Sequence, residues 1–133
     1  IDYCFCFGSK ILVGKLLEAY RNKIINFHPS LLPSYPGLNA IDKAIEGNSL
    51  LLGNTAHFID EKVDTGPIIM QSILPISLFN HYEDVLSLQI PMLLQIIRWL
   101  EEDRLVIESG RVIVRNARYK TSNFIPNLEQ HNG

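Results

Sequence analysis

Two short apolar runs separated by one amphipathic segment limit the folds open to this chain more than any other feature. The first, "IDYCFCF", is almost continuously hydrophobic and aromatic, and the second is "KIINF". Between them "KILVGKLLEAYRN" sets Leu12, Leu16, Leu17 and Ala19 on one helical stripe. A strand that is apolar on both faces is covered on both, as in a sheet flanked by helices, and strand, helix, strand is the parallel crossover unit. The expected class is α/β with an open, parallel, Rossmann-like sheet. A chain of 133 residues, 47% of them hydrophobic, suffices for one core. A domain seldom opens on a central strand. Residues 1–119 are therefore read as the C-terminal part of a larger domain whose first strands precede Ile1, and residues 120–133 as a polar, mobile tail.

Downstream, "NAIDKAIEGN" predicts a helix over Ala40 to Glu46 with Asn39 as N-cap and Gly47 as its stop. "GNTAHFID" and "PIIMQSILPI" read as the third and fourth strands, joined by the turn-rich "DEKVDTGP". Residues 82–102 have the period of a long helix, kinked or split at Pro91 because proline cannot give the internal hydrogen bond. "RLVIESGRVIVR" alternates about Ser109 and Gly110, which signals a terminal β-hairpin.

Charge and cysteine usage narrow the function classes. A net charge of −2 leaves no overall basic footprint for nucleic acid or an anionic membrane. The local cluster Arg111, Arg115, Arg118 and Lys120 beside Tyr119 reads as a solvated hairpin rim. Cys4 and Cys6, two apart on one strand, are badly placed to bond each other and too few for a zinc site, so they read as buried thiols in a reducing compartment. No apolar run is long enough to span a membrane, and the first residues do not have the pattern of a signal peptide. A cytoplasmic protein with small-molecule substrates, no metal and no nucleic-acid or membrane partner is expected. A homodimer is compatible with the same features.

The chemistry gathers at "KIINFHPSLLPSYPG". Asn26 and His28 lie two apart at a strand end, so both leave it on the same side. In an α/β sheet that end is where ligands bind. Pro29 and Pro33 stiffen the residues immediately after it. An amide, an imidazole and a carboxylate in a later glycine-containing loop, Asp64, together offer oxyanion donors and a base. Each residue also has a purely structural reading. A lone His28 or His57 is often a satisfied core histidine, and Asp64 in Asp-Thr-Gly-Pro is often only a turn residue. His81, in a polar loop, is expected to be exposed.

Taken together, "INFHPSLLPSYPG" and "GNTAHFIDEKVDTGPIIMQ" strongly resemble the folate-dependent formyltransferases, which share an Asn-x-His strand end, a Ser-Leu-Leu-Pro loop and a downstream Asp-x-Gly. The 36 positions from His28 to Asp64 agree with that family, and the likeness covers residues 1 to about 115. It is strongest to the branch that formylates glycinamide ribonucleotide. The tRNA branch usually has Ala at Pro29, Arg-Gly at Pro36 and Gly37, and a further C-terminal domain.

The resemblance implies the formyltransferase fold and transfer of a formyl group from 10-formyltetrahydrofolate, a co-substrate, to a primary amine. It implies Asn26, His28 and Asp64 as catalytic residues. Lys10, Ile11, Leu12, Ile59, Asp60, Glu61 and Val63 would line the folate, and Pro29, Ser30, Gly37, His57 and Gln89 would stand near the acceptor. Several departures weaken the choice of acceptor. The family's phosphate-cradling loop would precede Ile1, Gln89 stands where a Glu is usual, Asn39, Ala40 and Ile41 replace a His-rich stretch, and Ser9 replaces a Met-like residue. A nucleotide-linked amino sugar as acceptor, or a catalytically idle fragment, are the competing readings.

Overall fold

The apolar runs become strands of a single sheet, and the periodic segments among the described residues become helices laid against one of its faces. In the computed structural model, residues 3–7, 23–60 and 65–130 are described. The strands and helices in chain order are β1 (Cys4–Cys6), β2 (Ile24–His28), α1 (Ala40–Glu46), β3 (Leu51–Phe58), β4 (Ile68–Pro75), α2 (Tyr82–Leu86), α3 (Gln89–Glu101), β5 (Leu105–Glu108), β6 (Arg111–Val114) and β7 (Phe124–Ile125). The helix expected between the first two runs lies outside the described residues.

The main sheet has the order β1-β2-β3-β4-β7, and β5 and β6 form a separate hairpin. The pairing of β1 with β2 is parallel, as a crossover unit requires. The expectation of a parallel sheet throughout is corrected beyond that pair, because β2–β3, β3–β4 and β4–β7 are all antiparallel. For β4 the reason is chain length. Only residues 59–67 connect it to β3, fewer than the dozen or so a parallel crossover needs.

Alternation decides which residues reach the core. Ile25 and Phe27 of β2, Ala56 and Phe58 of β3 and Met70 of β4 pack against Met92, Ile96 and Trp99 of α3 and against Val114 of the hairpin. A smaller cluster joins Ile41 and Ala44 of α1 to Leu52 and Val85. The expected long helix does break, though not at Pro91. The break falls at Ser87 and Leu88, and Pro91 is the third residue of α3, where an N–H would have no partner within the helix. In front of α2, the Asp84 carboxylate accepts from the backbone N–H of Asn80 at 2.7 Å and of His81 at 3.0 Å, which holds its carboxyl below the usual aspartate value.

Asn39 precedes α1 as expected but contributes no side-chain cap. It contributes its backbone, with φ at 57°, a left-handed conformation that asparagine tolerates. Ser109 and Gly110, at φ 51° and 74°, have the signs of a type I′ turn and close the expected hairpin. The segment after Lys120, expected to be mobile, instead supplies β7, which pairs with Gln71 and Ser72 at the edge of β4. Cys4 is exposed and Cys6 only half-buried, so neither is the buried thiol expected. Their strand lies at one end of the described sheet. Among the described residues no helix is long and apolar enough to cross a membrane.

Candidate active site

Strand β2 ends in two polar residues on one face, and β3 supplies their partners from the same face. Asn26 pairs in register with His57, and His28 with Thr55. All four side chains are buried, His28 and Thr55 completely. Buried polar groups must find partners, and their hydrogen bonds determine how each is oriented. His57 Nδ1 lies 2.9 Å from the Phe58 carbonyl oxygen, which only accepts, so Nδ1 carries the hydrogen. His57 Nε2 then accepts from the Asn26 amide at 3.4 Å. The same logic applies to His28. Its Nε2 lies 2.8 Å from the Tyr35 carbonyl oxygen, which only accepts, so Nε2 carries a hydrogen. Donation from Nδ1 to an oxyanion therefore needs the doubly protonated ring.

The turn after β2 explains how a backbone carbonyl comes to face this imidazole. Pro29 has no N–H to continue a ladder. Ser30 N–H bonds back to the His28 carbonyl at 2.9 Å, and Ser34 N–H to that of Leu31 at 2.9 Å. The Ser30 hydroxyl donates to the Ser34 carbonyl at 2.6 Å. Tyr35 then takes φ 53°, and Gly37, at φ 84°, a conformation suited to glycine. The Tyr35 hydroxyl bonds Ser49 Oγ at 3.0 Å. Ser30 is buried and Pro29 half-buried, so of the residues assigned to the acceptor these two adjoin His28 through the turn.

Of the residues assigned to the folate, Lys10, Ile11, Leu12, Glu61 and Val63 lie outside the described residues, as does Asp64. The flanks of residues 61–64 are described. Ile59 N–H bonds the Ile24 carbonyl at 2.9 Å, and Phe58 N–H bonds that of Pro67 at 2.9 Å. The Thr65 hydroxyl donates to Asp60 Oδ1 at 2.7 Å, so the two ends of the segment carrying Asp64 are tied together. A cleft of about 600 Å³ opens between these flanks and the hairpin tip at Gly110 and Arg111.

Gln89 is placed elsewhere. It is buried, and its Nε2 donates to Asn54 Oδ1 at 2.9 Å. Asn54 precedes Thr55 on β3 and therefore points to the other face of the sheet. His28 is thus bonded to Tyr35 and, through its own carbonyl, to Ser30, with the Asn26–His57 pair beside it on the same face and Gln89 on the other. Sequence reasoning missed Thr55, Gln71 and Tyr35. The period of two in β3 signals Thr55, which stands two before His57. Nothing local signals the others, whose contacts depend on strand register and on a turn. His81 is exposed, as expected. No group of three or more metal-ligating side chains occurs among the described residues.

Residues 3–88 match the family described as Formyl transferase. The phosphoribosylglycinamide formyltransferase of Bacillus subtilis (strain 168) is 44% identical over 79 residues, 59% of this chain and 40% of that protein. The enzyme of the same name from Haemophilus influenzae is 41% identical over 105 residues, 76% of this chain and 50% of that protein. The crystal structure of phosphoribosylglycinamide formyltransferase from Anaplasma phagocytophilum superposes with a TM-score of 0.78 at 30% identity, covering 87% of this chain and 60% of that one. The chain spans half or less of the length of the two curated relatives.

Proposed function

The chain belongs to the formyl transferase family, and on that premise we propose that it serves the transfer of a formyl group from 10-formyltetrahydrofolate to the primary amine of glycinamide ribonucleotide, a step of purine biosynthesis in the cytoplasm. The observation that carries this reading is the pair Asn26 and His28 at the end of β2, each held by a defined partner, His57 for the amide and the Tyr35 carbonyl for the imidazole.

The reaction sets three tasks. The amine nitrogen bonds the formyl carbon, whose oxygen becomes an oxyanion. The Asn26 amide and the protonated Nδ1 of His28 donate to it. The amine nitrogen gives up a proton, for which Asp64 is the base, directly or through one water. The bond from the formyl carbon to the folate nitrogen then breaks, and that nitrogen takes a proton as it leaves. The Asp64 carboxylate and the His28 ring thus act as a pair, one at each end of the transfer. Lys10, Ile11, Leu12 and the segment containing Ile59, Asp60, Glu61 and Val63 belong to the folate side of this proposal. Pro29, Ser30, Gly37, His57 and Gln89 belong to the acceptor side. Gln89 and Asn39 are the residues that speak for an amino-sugar acceptor. The Gln89 amide, however, is engaged by Asn54, and the similar proteins are named for glycinamide ribonucleotide.

Release of tetrahydrofolate, followed with purified full-length protein and both substrates, tests the proposal. His28→Ala is expected to lower kcat by roughly a hundredfold or more, the scale of losing an oxyanion donor. Asp64→Asn keeps the shape but cannot take a proton, so it should bind folate and fail to turn over. A His28→Ala enzyme with unchanged kcat would make His28 a structural residue and remove the mechanism.

A further inference from the structure

We propose that Thr55 is a positioning residue for the His28 imidazole, acting through the turn after β2; its bearing on turnover rests on the catalytic reading of His28. Thr55 stands opposite His28 in the β2–β3 register and is completely buried. A threonine hydroxyl has one hydrogen and two lone pairs, and here all three are used. Oγ1 donates to the Ser30 carbonyl at 2.7 Å. It accepts from Leu32 N–H at 3.0 Å and from Gln71 Nε2 at 2.9 Å. Gln71, from β4, reaches the turn a second time, donating to the Leu32 carbonyl at 3.1 Å. Two neighbouring strands thereby hold the turn by three of its backbone polar groups.

The hold passes to the imidazole in two short steps. Ser30 fixes the Ser34 carbonyl through its own hydroxyl, and the next residue, Tyr35, presents its carbonyl to His28 Nε2. Tyr35 keeps φ 53°, a conformation that a tyrosine holds only when its surroundings impose it. If the turn relaxes, that carbonyl moves off the ring and no longer holds Nε2 and its hydrogen in place. The ring then loses its fixed orientation, and with it the placing of the nitrogen assigned to the oxyanion. No packing argument requires a hydroxyl at this position, since valine has nearly the shape of threonine and lacks only the hydrogen bonds.

The test compares Thr55→Val and Thr55→Ser with the wild type in the full-length protein, reading the ring nitrogens of His28 by 15N NMR and formyl transfer by steady-state kinetics. In the wild type the ring signals should show a hydrogen held on Nε2. Thr55→Val should move them toward a mixture of ring forms and lower kcat about tenfold or more, with the KM for folate within about twofold, since misplacing a catalytic group by about an ångström can cost up to a hundredfold. Thr55→Ser, which keeps the hydroxyl, should restore both. Wild-type ring signals in folded Thr55→Val would overturn the proposal, as would a loss that serine does not restore. If Thr55→Val does not fold, Gln71→Leu, which removes two of the four ties at a half-buried position, is expected to move the ring signals the same way. Unchanged signals there would also overturn it. A wild type that moves no formyl group, but whose His28 signals respond to Thr55, would sink the catalytic reading and leave the positioning role standing.

Discussion

A Cβ added to Gly66 would lie 1.6 Å from the Phe58 carbonyl oxygen and 2.6 Å from its carbonyl carbon. Both atoms are backbone, so no side chain can step aside. The glycine of the Asp-x-Gly signature is thus required by space. It lets the chain returning from residues 61–64 run against the end of β3, where Phe58 N–H meets the Pro67 carbonyl. Gly110 contrasts with it, because nothing lies within 4 Å and its positive φ alone favours glycine. Gly66→Ala is expected to destabilise the protein by at least about 2 kcal/mol through backbone displacement, read as a lower midpoint in urea. A wild-type midpoint would mean that the return segment has slack.

Between the strands and the helices, the polar residues of the other sheet face form a closed set. Asn54 Nδ2 donates to Ser72 Oγ at 3.0 Å and to the Val85 carbonyl at 2.8 Å, and Asn54 Oδ1 accepts from Gln89. One buried amide thereby joins β3 to β4, α2 and α3. Gln89→Leu keeps the volume and leaves Asn54 Oδ1 without that donor in a buried place. A loss of about 1–3 kcal/mol is expected, the desolvation cost of a stranded acceptor, measured by thermal denaturation. A variant as stable as the wild type would show that water or a neighbour replaces the bond.

Across the whole molecule, the C-terminal segment closes the structure over α3. Arg104 grips Glu129 with two parallel bonds of 2.8 Å. Trp99 Nε1 donates to the same carboxylate at 3.2 Å, and Glu129 N–H bonds Gln95 Oε1 at 2.6 Å. The side chains of Arg104 and Glu129 are 17% and 25% exposed, so the pair is partly shielded from solvent. Bonding to Glu129 raises the Arg104 pKa. Glu129→Ala should cost about 1–3 kcal/mol, the range for hydrogen bonds to charged groups. Because the chain has one tryptophan, Trp99, its fluorescence reports both the loosened clasp and the shifted unfolding midpoint. An unchanged midpoint would reduce the clasp to a surface contact.

Local pattern alone determined where β2, β3, β4, α1 and the hairpin lie, and that Asn26 and His28 share a face, because side-chain alternation, helical period and turn chemistry act over a few residues. The signature around His28 was legible for the same reason. Tertiary structure decided what those residues touch. His57 meets Asn26, and Thr55 faces His28, only because β3 runs antiparallel to β2 in one register, and a shift of one residue would turn both side chains to the opposite face. The placing of Gln89 with Asn54 and the docking of Phe124, Ile125 and Glu129 come likewise from pairings between segments distant along the chain. Hydrophobic pattern could not foresee that docking, since a polar tail carries little apolar surface, and its hold comes from strand pairing and from the Arg104–Glu129 bonds.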